Sequence, residues 1–272
     1  MMNVPILCLL PPGQPIYDSS MQKQIELISI GTELLSGRTL NSHAQTLGAA
    51  LTEIGLTLSR DTTIPDDIAT IQSAVRDAFS RIDIAVVSGG LGPTVDDITR
   101  DALAQLFQIK IVVSESALVA IQKRYEKRGL VMNPASERMA QVLEGAEVLI
   151  NSAGAAAGQM LFPMPGKTLF IVPGPPNEFA AMISDHIVPW LRKNFPEAMP
   201  YQLRILTTQG IGESDIVTRL EAAGFQPSEI SLGFYPGFGR VEIRLSAPVE
   251  KTDLLDKAEQ ALRELLHDHL II

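Results

Sequence analysis

The residues best suited to chemistry form one stretch, Ser88-Gly89-Gly90-Leu91-Gly92-Pro93-Thr94-Val95-Asp96-Asp97-Ile98-Thr99. Three glycines within four positions free the backbone to take positive φ and let a ligand approach where a Cβ would otherwise stand. Their N–H groups can then face an anion, and Ser88, Thr94 and Thr99 add hydroxyls. An apolar run over 84–87 precedes the stretch and an amphipathic pattern begins near Thr99. The stretch therefore reads as a buried parallel strand turning into a helix, with the positive end of the helix dipole aimed at the same place. Asp96 and Asp97 are the unexpected part. Carboxylates beside a phosphate repel it unless a divalent cation lies between them, or one of them orients a hydroxyl or a water. The plainer alternative is a glycine-rich turn in which Asp96 or Asp97 caps a helix.

The elements that must position this stretch alternate. Residues 25–30 read as a strand ending at a second ligand-facing turn, Gly31-Thr32-Glu33-Leu34-Leu35. A helix over 41–54 follows, with Gly55 as its stop. A strand over 56–62, a helix from Pro65 to Phe79 with Asp66 and Asp67 at its positive end, and the strand over 84–87 come next. Strands alternating with helices in this way pair in parallel through right-handed crossovers. Helices over 99–106 and 116–128, the second opened by Ser114, precede Asn133-Pro134 and a short helix to about 142. Brief strands over 147–150 and 168–172 flank an alanine-rich loop, 151–158. A stiff turn, Pro173-Gly174-Pro175-Pro176-Asn177-Glu178, leads to a helix ending near 191. A proline-bounded linker, 195–200, separates residues 24–194 from a smaller α+β domain over 201–272. There the pattern predicts a strand over 202–208, a helix over 213–223, a hairpin of strands 229–235 and 239–247 turned by Pro236-Gly237, and a closing helix over 252–268. The fold class is α/β: three layers, α/β/α, around a mostly parallel sheet, with a second, smaller α+β domain.

Composition narrows the function. With 46% hydrophobic and 19% charged residues over 272 positions, the chain is an ordinary globular protein, and its net charge of −9 argues against a sequence-independent grip on nucleic acid. The single Cys8 gives no disulfide, and residues 1–23 carry an apolar run without basic flanks, so the reading is a cytoplasmic protein with a disordered extension and no membrane contact. No Walker loop, G-x-G-x-x-G turn, H-E-x-x-H pair or G-x-S-x-G elbow occurs, and the four histidines are scattered. Gly210-Ile211-Gly212 lacks the G-x-x-G spacing and the basic surroundings of a nucleic-acid clamp.

Gly31-Thr32-Glu33-Leu34-Leu35, the glycine stretch through Asp97, and Pro173 to Glu178, all in order, resemble the competence/damage-inducible protein CinA family from about residue 24 to the end. The resemblance implies a molybdopterin-binding-like domain, then a KH-like domain entered through Thr207-Thr208-Gln209-Gly210-Ile211-Gly212-Glu213-Ser214. It also implies a divalent-metal-dependent ADP-ribose pyrophosphatase site. Longer members add a nicotinamide-nucleotide deamidase domain, which is not expected in these residues. In the wider fold the glycine turn is followed by an aspartate and a threonine, matching Asp97 and Thr99, and a second aspartate matches Asp66. By resemblance, Asp97 and Asp66 are catalytic and, with Asp96 and Glu33, bind the metal. Gly31, Thr32, Glu33, Ser88, Gly89, Gly90, Leu91, Gly92, Pro93, Thr94, Thr99, Gly174, Pro175 and Glu178 contact the substrate. The chain departs from the family at His43 (usually Asn), at 154–158 (usually Gly-Thr-Ala-Pro-Gly), and at Ser136 and Met139 (usually Asn-x-x-Gln).

The leading expectation is a metal-dependent hydrolase of a nucleotide pyrophosphate, with a divalent cation as cofactor, a small-molecule nucleotide as partner and a homodimer as its assembly. Two alternatives are a pterin-binding or cofactor-biosynthesis protein and a non-catalytic nucleotide-binding regulatory module. Fold alone does not choose between them.

Overall fold

The computed structural model describes residues 24–271, which form two compact units, one ending at Tyr201 and the other beginning at Gln202. The expected disordered extension, 1–23, lies outside the described residues.

The larger unit begins with β1 (Gln24–Ile30), α1 (Thr32–Leu35), α2 (His43–Thr52), β2 (Thr57–Ile64), α3 (Ile68–Phe79), β3 (Ile84–Ser88) and α4 (Thr99–Phe107). It continues through β4 (Ile111–Val113), α5 (Glu115–Lys127), β5 (Gln141–Leu143), β6 (Glu147–Leu149), β7 (Gly158–Leu161), β8 (Thr168–Val172), α6 (Pro176–Met182) and α7 (Val188–Asn194). Six strands form one sheet in the order β2-β1-β3-β8-β7-β6, with β2, β1, β3 and β8 mutually parallel. The near-continuous apolar strands are buried on both faces, as parallel strands covered by helices must be. Their period of two divides them: Ile28, Ile30, Val87 and Ile171 pack with Ile71, Leu103 and Ile121 on one side, and Ile25, Leu27, Val86 and Phe170 pack with Leu47, Phe179 and Met182 on the other. This is the expected three-layer arrangement.

Several expectations need correction. The edge of the sheet is antiparallel, β7 to β8 and β6 to β7. The first of these, β7, takes Gly158 from the expected loop; Gly and Gln are weak strand formers, and only pairing on both sides makes this segment a strand. In place of a helix to 142 there is a 3-10 run, Pro134–Ala140, followed by β5, which pairs with β4 in a separate two-stranded sheet. The last helix is broken by a π turn, Ile183–Ile187. Pro189 lacks the N–H that would bond back one turn, and the widened turn accommodates it.

The smaller unit begins one residue into β9 (Tyr201–Gln209) and continues through α8 (Glu213–Ala222), β10 (Ser231–Gly237), β11 (Arg240–Pro248) and α9 (Thr252–Leu265), with strand order β10-β11-β9. Pro236 and Gly237 are not the hairpin turn: they pair with Val241 and Arg240, so the turn is Phe238-Gly239, with Gly239 at φ 67°. A two-residue hairpin needs positive φ, which Gly239 supplies, while Pro236 is tolerated on an edge strand. Among the described residues no helix is long and apolar enough to cross a membrane.

Candidate functional site

Ser29 is in register with Ser88, and Ser88 with Val172. The strands β1, β3 and β8 therefore end level, and the turns after them emerge along one edge. Because β2 and β3 flank β1 on opposite sides, this edge is also where the winding of the sheet reverses, the place where open α/β sheets leave a ligand crevice. A cleft of about 470 Å³ opens there. Of the residues picked out in the sequence, Gly31, Glu33, Asp66, Gly89 to Pro93, Asp96, Asp97, Gly174, Pro175 and Glu178 line it. Thr32, Ser88, Thr94 and Thr99 do not.

The glycine turn is built from behind. Gly89 and Gly90 adopt φ 108° and 66°, and each lies against a neighbour, Ile30 O for Gly89 and Thr99 Oγ1 for Gly90, that a Cβ would overlap. The buried Thr99 Oγ1 donates to Gly89 O at 2.8 Å, and Thr99 N donates to Gly90 O at 3.3 Å. The Arg100 guanidinium, 1% exposed, donates to Leu91 O at 2.9 Å and to Gly92 O at 3.1 Å. Four successive carbonyls are thus held by α4. Gly89 N donates to Val172 O, and Gly92 N to Asp97. The N–H groups of Gly90 and Leu91 have no acceptor among the described residues. Burial, with Arg138 nearby, pushes the Arg100 guanidinium down to about 10, against the pull of Asp97 and Asp101.

The hydroxyls and two of the aspartates are spent on the turns themselves. Asp97 accepts from Gly92 N at 2.7 Å, Thr94 N at 2.8 Å and Thr94 Oγ1 at 2.5 Å. Neither Asp96 nor Asp97 caps α4, whose first turn is entered from Ile98 without a side-chain cap. Asp66 accepts from Thr32 N and Oγ1, both at 2.9 Å, joining the first turn to the entry of α3. That helix is capped by Asp67. Ser88 Oγ donates to Pro173 O at 3.0 Å.

His43 is buried, stacked on Phe179 at 4.1 Å, and its Nε2 lies 2.8 Å from Gly174 O. A carbonyl partner requires Nε2 to carry the proton, which leaves Nδ1 as an unpaired lone pair. Burial holds its pKa below the usual range, against the Gly174 bond and the charge of Asp61.

Asn151 organises the alanine-rich loop. Its Oδ1 accepts from Ala153 N and Gly154 N, and its Nδ2 donates to Ala156 O at 3.0 Å and Glu178 Oε2 at 2.6 Å. Met139, Ala155 and Ala156 form an apolar wall of the cleft.

Sequence reasoning missed Arg100 and Asn151. An arginine on the same helix face as Leu103 was the available signal for Arg100. Asn151 had none, because its partners come from a loop and from a helix 27 positions away.

Glu33, Asp66, Asp96, Asp97 and Glu178 line the cleft, and no lysine or arginine does. No three His, Cys, Asp or Glu residues converge as a metal cage among the described residues. The donors instead fit a hard cation held as magnesium often is, by one or two carboxylates together with a ligand's phosphates. Glu33, whose carboxylate accepts no hydrogen bond among the described residues, and Asp96, which lines the cleft while the Thr94 hydroxyl donates to Asp97, are the least engaged.

The chain matches two family models: "Probable molybdopterin binding domain" over residues 26–193 and "Damage-inducible protein CinA KH domain" over 203–271. It is 36% identical over 249 residues to a competence-damage inducible protein of Caldicellulosiruptor saccharolyticus, and 32% identical over 249 residues to a CinA-like protein of Dictyoglomus thermophilum. Each match covers 90% of this chain and 60% of the relative, so the chain spans about 60% of the length of these relatives. A crystal structure of the protein CinA with unknown function from Thermoplasma acidophilum is 33% identical, covers 64% of this chain and 98% of its own, and superposes with a TM-score of 0.56. With both domain models matched in order and the motif turns gathered at one sheet edge, the chain belongs to the CinA family.

Proposed function

We propose that the larger unit hydrolyses the pyrophosphate link of a small nucleotide, with ADP-ribose the first substrate to try, in the presence of a divalent cation. The observation that carries this reading is the glycine turn: its four carbonyls are drawn toward α4, while the N–H groups of Gly90 and Leu91 are unclaimed beside a cleft. A phosphate there would accept from both N–H groups and sit at the positive end of α4. The carboxylates then need a counter-charge. Glu33 and Asp96, with the remaining lone pairs of Asp66 and Asp97, would hold a divalent cation, which would supply Lewis acidity and a more acidic water. The chain itself fixes the phosphate, and Met139, Ala155 and Ala156 exclude water beside the rest of the ligand.

A second reading is favoured by the larger match, a "Probable molybdopterin binding domain": the ligand is a pterin phosphate that is bound without hydrolysis. Incubating the full chain with ADP-ribose, with and without magnesium or manganese, and following AMP release tests the first reading. Metal-dependent AMP release supports it. Its absence, together with saturable pterin binding, replaces it with the second. The expected homodimer belongs to the same proposal and is read by light scattering.

A further inference from the structure

A second cavity, about 190 Å³, lies between α5 and the 151–157 loop. Its floor is apolar, with Ala117, Ile121 and Ala157 nearly fully buried. Its rim is cationic: Lys123, Arg124 and Lys127 line it, and no carboxylate does. In a chain of net charge −9 this is a local reversal of sign. Arg124 is committed to the loop, donating to the carbonyls of Ser152 and Ala153. Lys123 and Lys127, four residues apart and so on one helix face, have no ion pair among the described residues.

The wall between this cavity and the larger cleft is one loop thick. Ala155 lines both. Gly154 lines the second cavity and lies so close to the Glu178 carboxylate, on the cleft side, that a Cβ would overlap it. We propose that the second cavity is a binding site for a small phosphomonoester, whose phosphate pairs with Lys123 and Lys127 and whose compact body covers the apolar floor. Occupancy would be felt at the cleft through the contact of Gly154 with Glu178. The volume is below that of pockets that take drug-sized ligands, so a whole nucleotide pyrophosphate is excluded. Phosphomonoesters are also the product class of the hydrolysis proposed above. The regulatory part of the inference rests on that reading; the binding part does not.

Ribose 5-phosphate, with ribose as the uncharged control, is the probe. It is titrated by calorimetry into the full chain and into two variants: Lys123→Gln/Lys127→Gln, which alters only exposed side chains, and Ala120→Phe, which fills the cavity. Saturable binding in the wild type is expected to weaken at least about tenfold in both variants, in line with loss of charge-assisted contacts in one and of space in the other. Ribose is expected not to bind. No saturable binding in the wild type, or binding unchanged in the lysine variant, overturns the proposal. These readouts do not use turnover, so failure to hydrolyse ADP-ribose leaves them intact. If ADP-ribose is hydrolysed, ribose 5-phosphate is expected to change its apparent affinity more in the wild type than in the lysine variant, where only its competition as product at the cleft remains. An equal change in both overturns the coupling through Gly154.

Discussion

Asn151 Nδ2 lies 2.6 Å from Glu178 Oε2, joining the alanine-rich loop to the first turn of α6. One amide thereby closes the loop on itself, through Ala153, Gly154 and Ala156, and fixes a carboxylate that lines the cleft.

Asn151→Ala strands two loop N–H groups, a carbonyl and the Glu178 carboxylate in a half-buried setting. A loss of about 2–3 kcal/mol is expected. Urea denaturation measures it, and a loss under about 0.5 kcal/mol would mean that water replaces the amide without cost.

Asp97→Asn tests the aspartate as a loop organiser. The two Asp97 oxygens accept from three donors, and an amide nitrogen would face one or more of them. Stability should fall by about 1–2 kcal/mol, and turnover by roughly two orders of magnitude as the glycine turn loosens. Thermal melts and AMP release on the same variant separate the roles: turnover lost at unchanged stability would make Asp97 a metal ligand first.

Gly90→Ala places a methyl against Thr99 Oγ1 at a residue with φ 66°, and should cost about 3 kcal/mol and remove phosphate binding. Thr99→Ala should cost about 1–2 kcal/mol alone. Because the clash needs both groups, the double variant should be more stable than the sum of the two losses predicts. Additivity in a double-mutant cycle would show that backbone strain, and not the hydroxyl, makes Gly90 necessary.

His43 sets a pH dependence with a definite sign. Its folded pKa lies below the usual 6.5 because burial disfavours the charged ring. The unfolded chain therefore takes up the proton first, and the stability present above pH 6.5 declines as the pH falls from there toward the folded value. His43→Gln keeps a donor for Gly174 O and does not titrate. The stability difference between wild type and variant, followed by denaturant titration across this range, should move against the wild type as acid is added. A flat difference would remove His43 from the account. Asp61, whose own pKa is raised by burial, is present in both proteins.

Local pattern was enough to find the parallel half of the sheet, its crossover helices and the three turns that line the cleft. Apolar runs of strand length and glycine or proline clusters carry their own backbone preferences, and these do not depend on distant partners. Tertiary structure decided what the polar groups in those turns do. Ser88, Thr94 and Thr99 look like ligand-facing hydroxyls in the chain, yet each is used on a neighbouring carbonyl or carboxylate, because backbone groups in a buried turn must be paired. Arg100 and Asn151 gained their roles from carbonyls and carboxylates brought to them by folding. The antiparallel edge was hidden for the same reason: Gly158 and Gln159 have little strand preference of their own, and it is the ladder from β8 and β6 that makes them a strand.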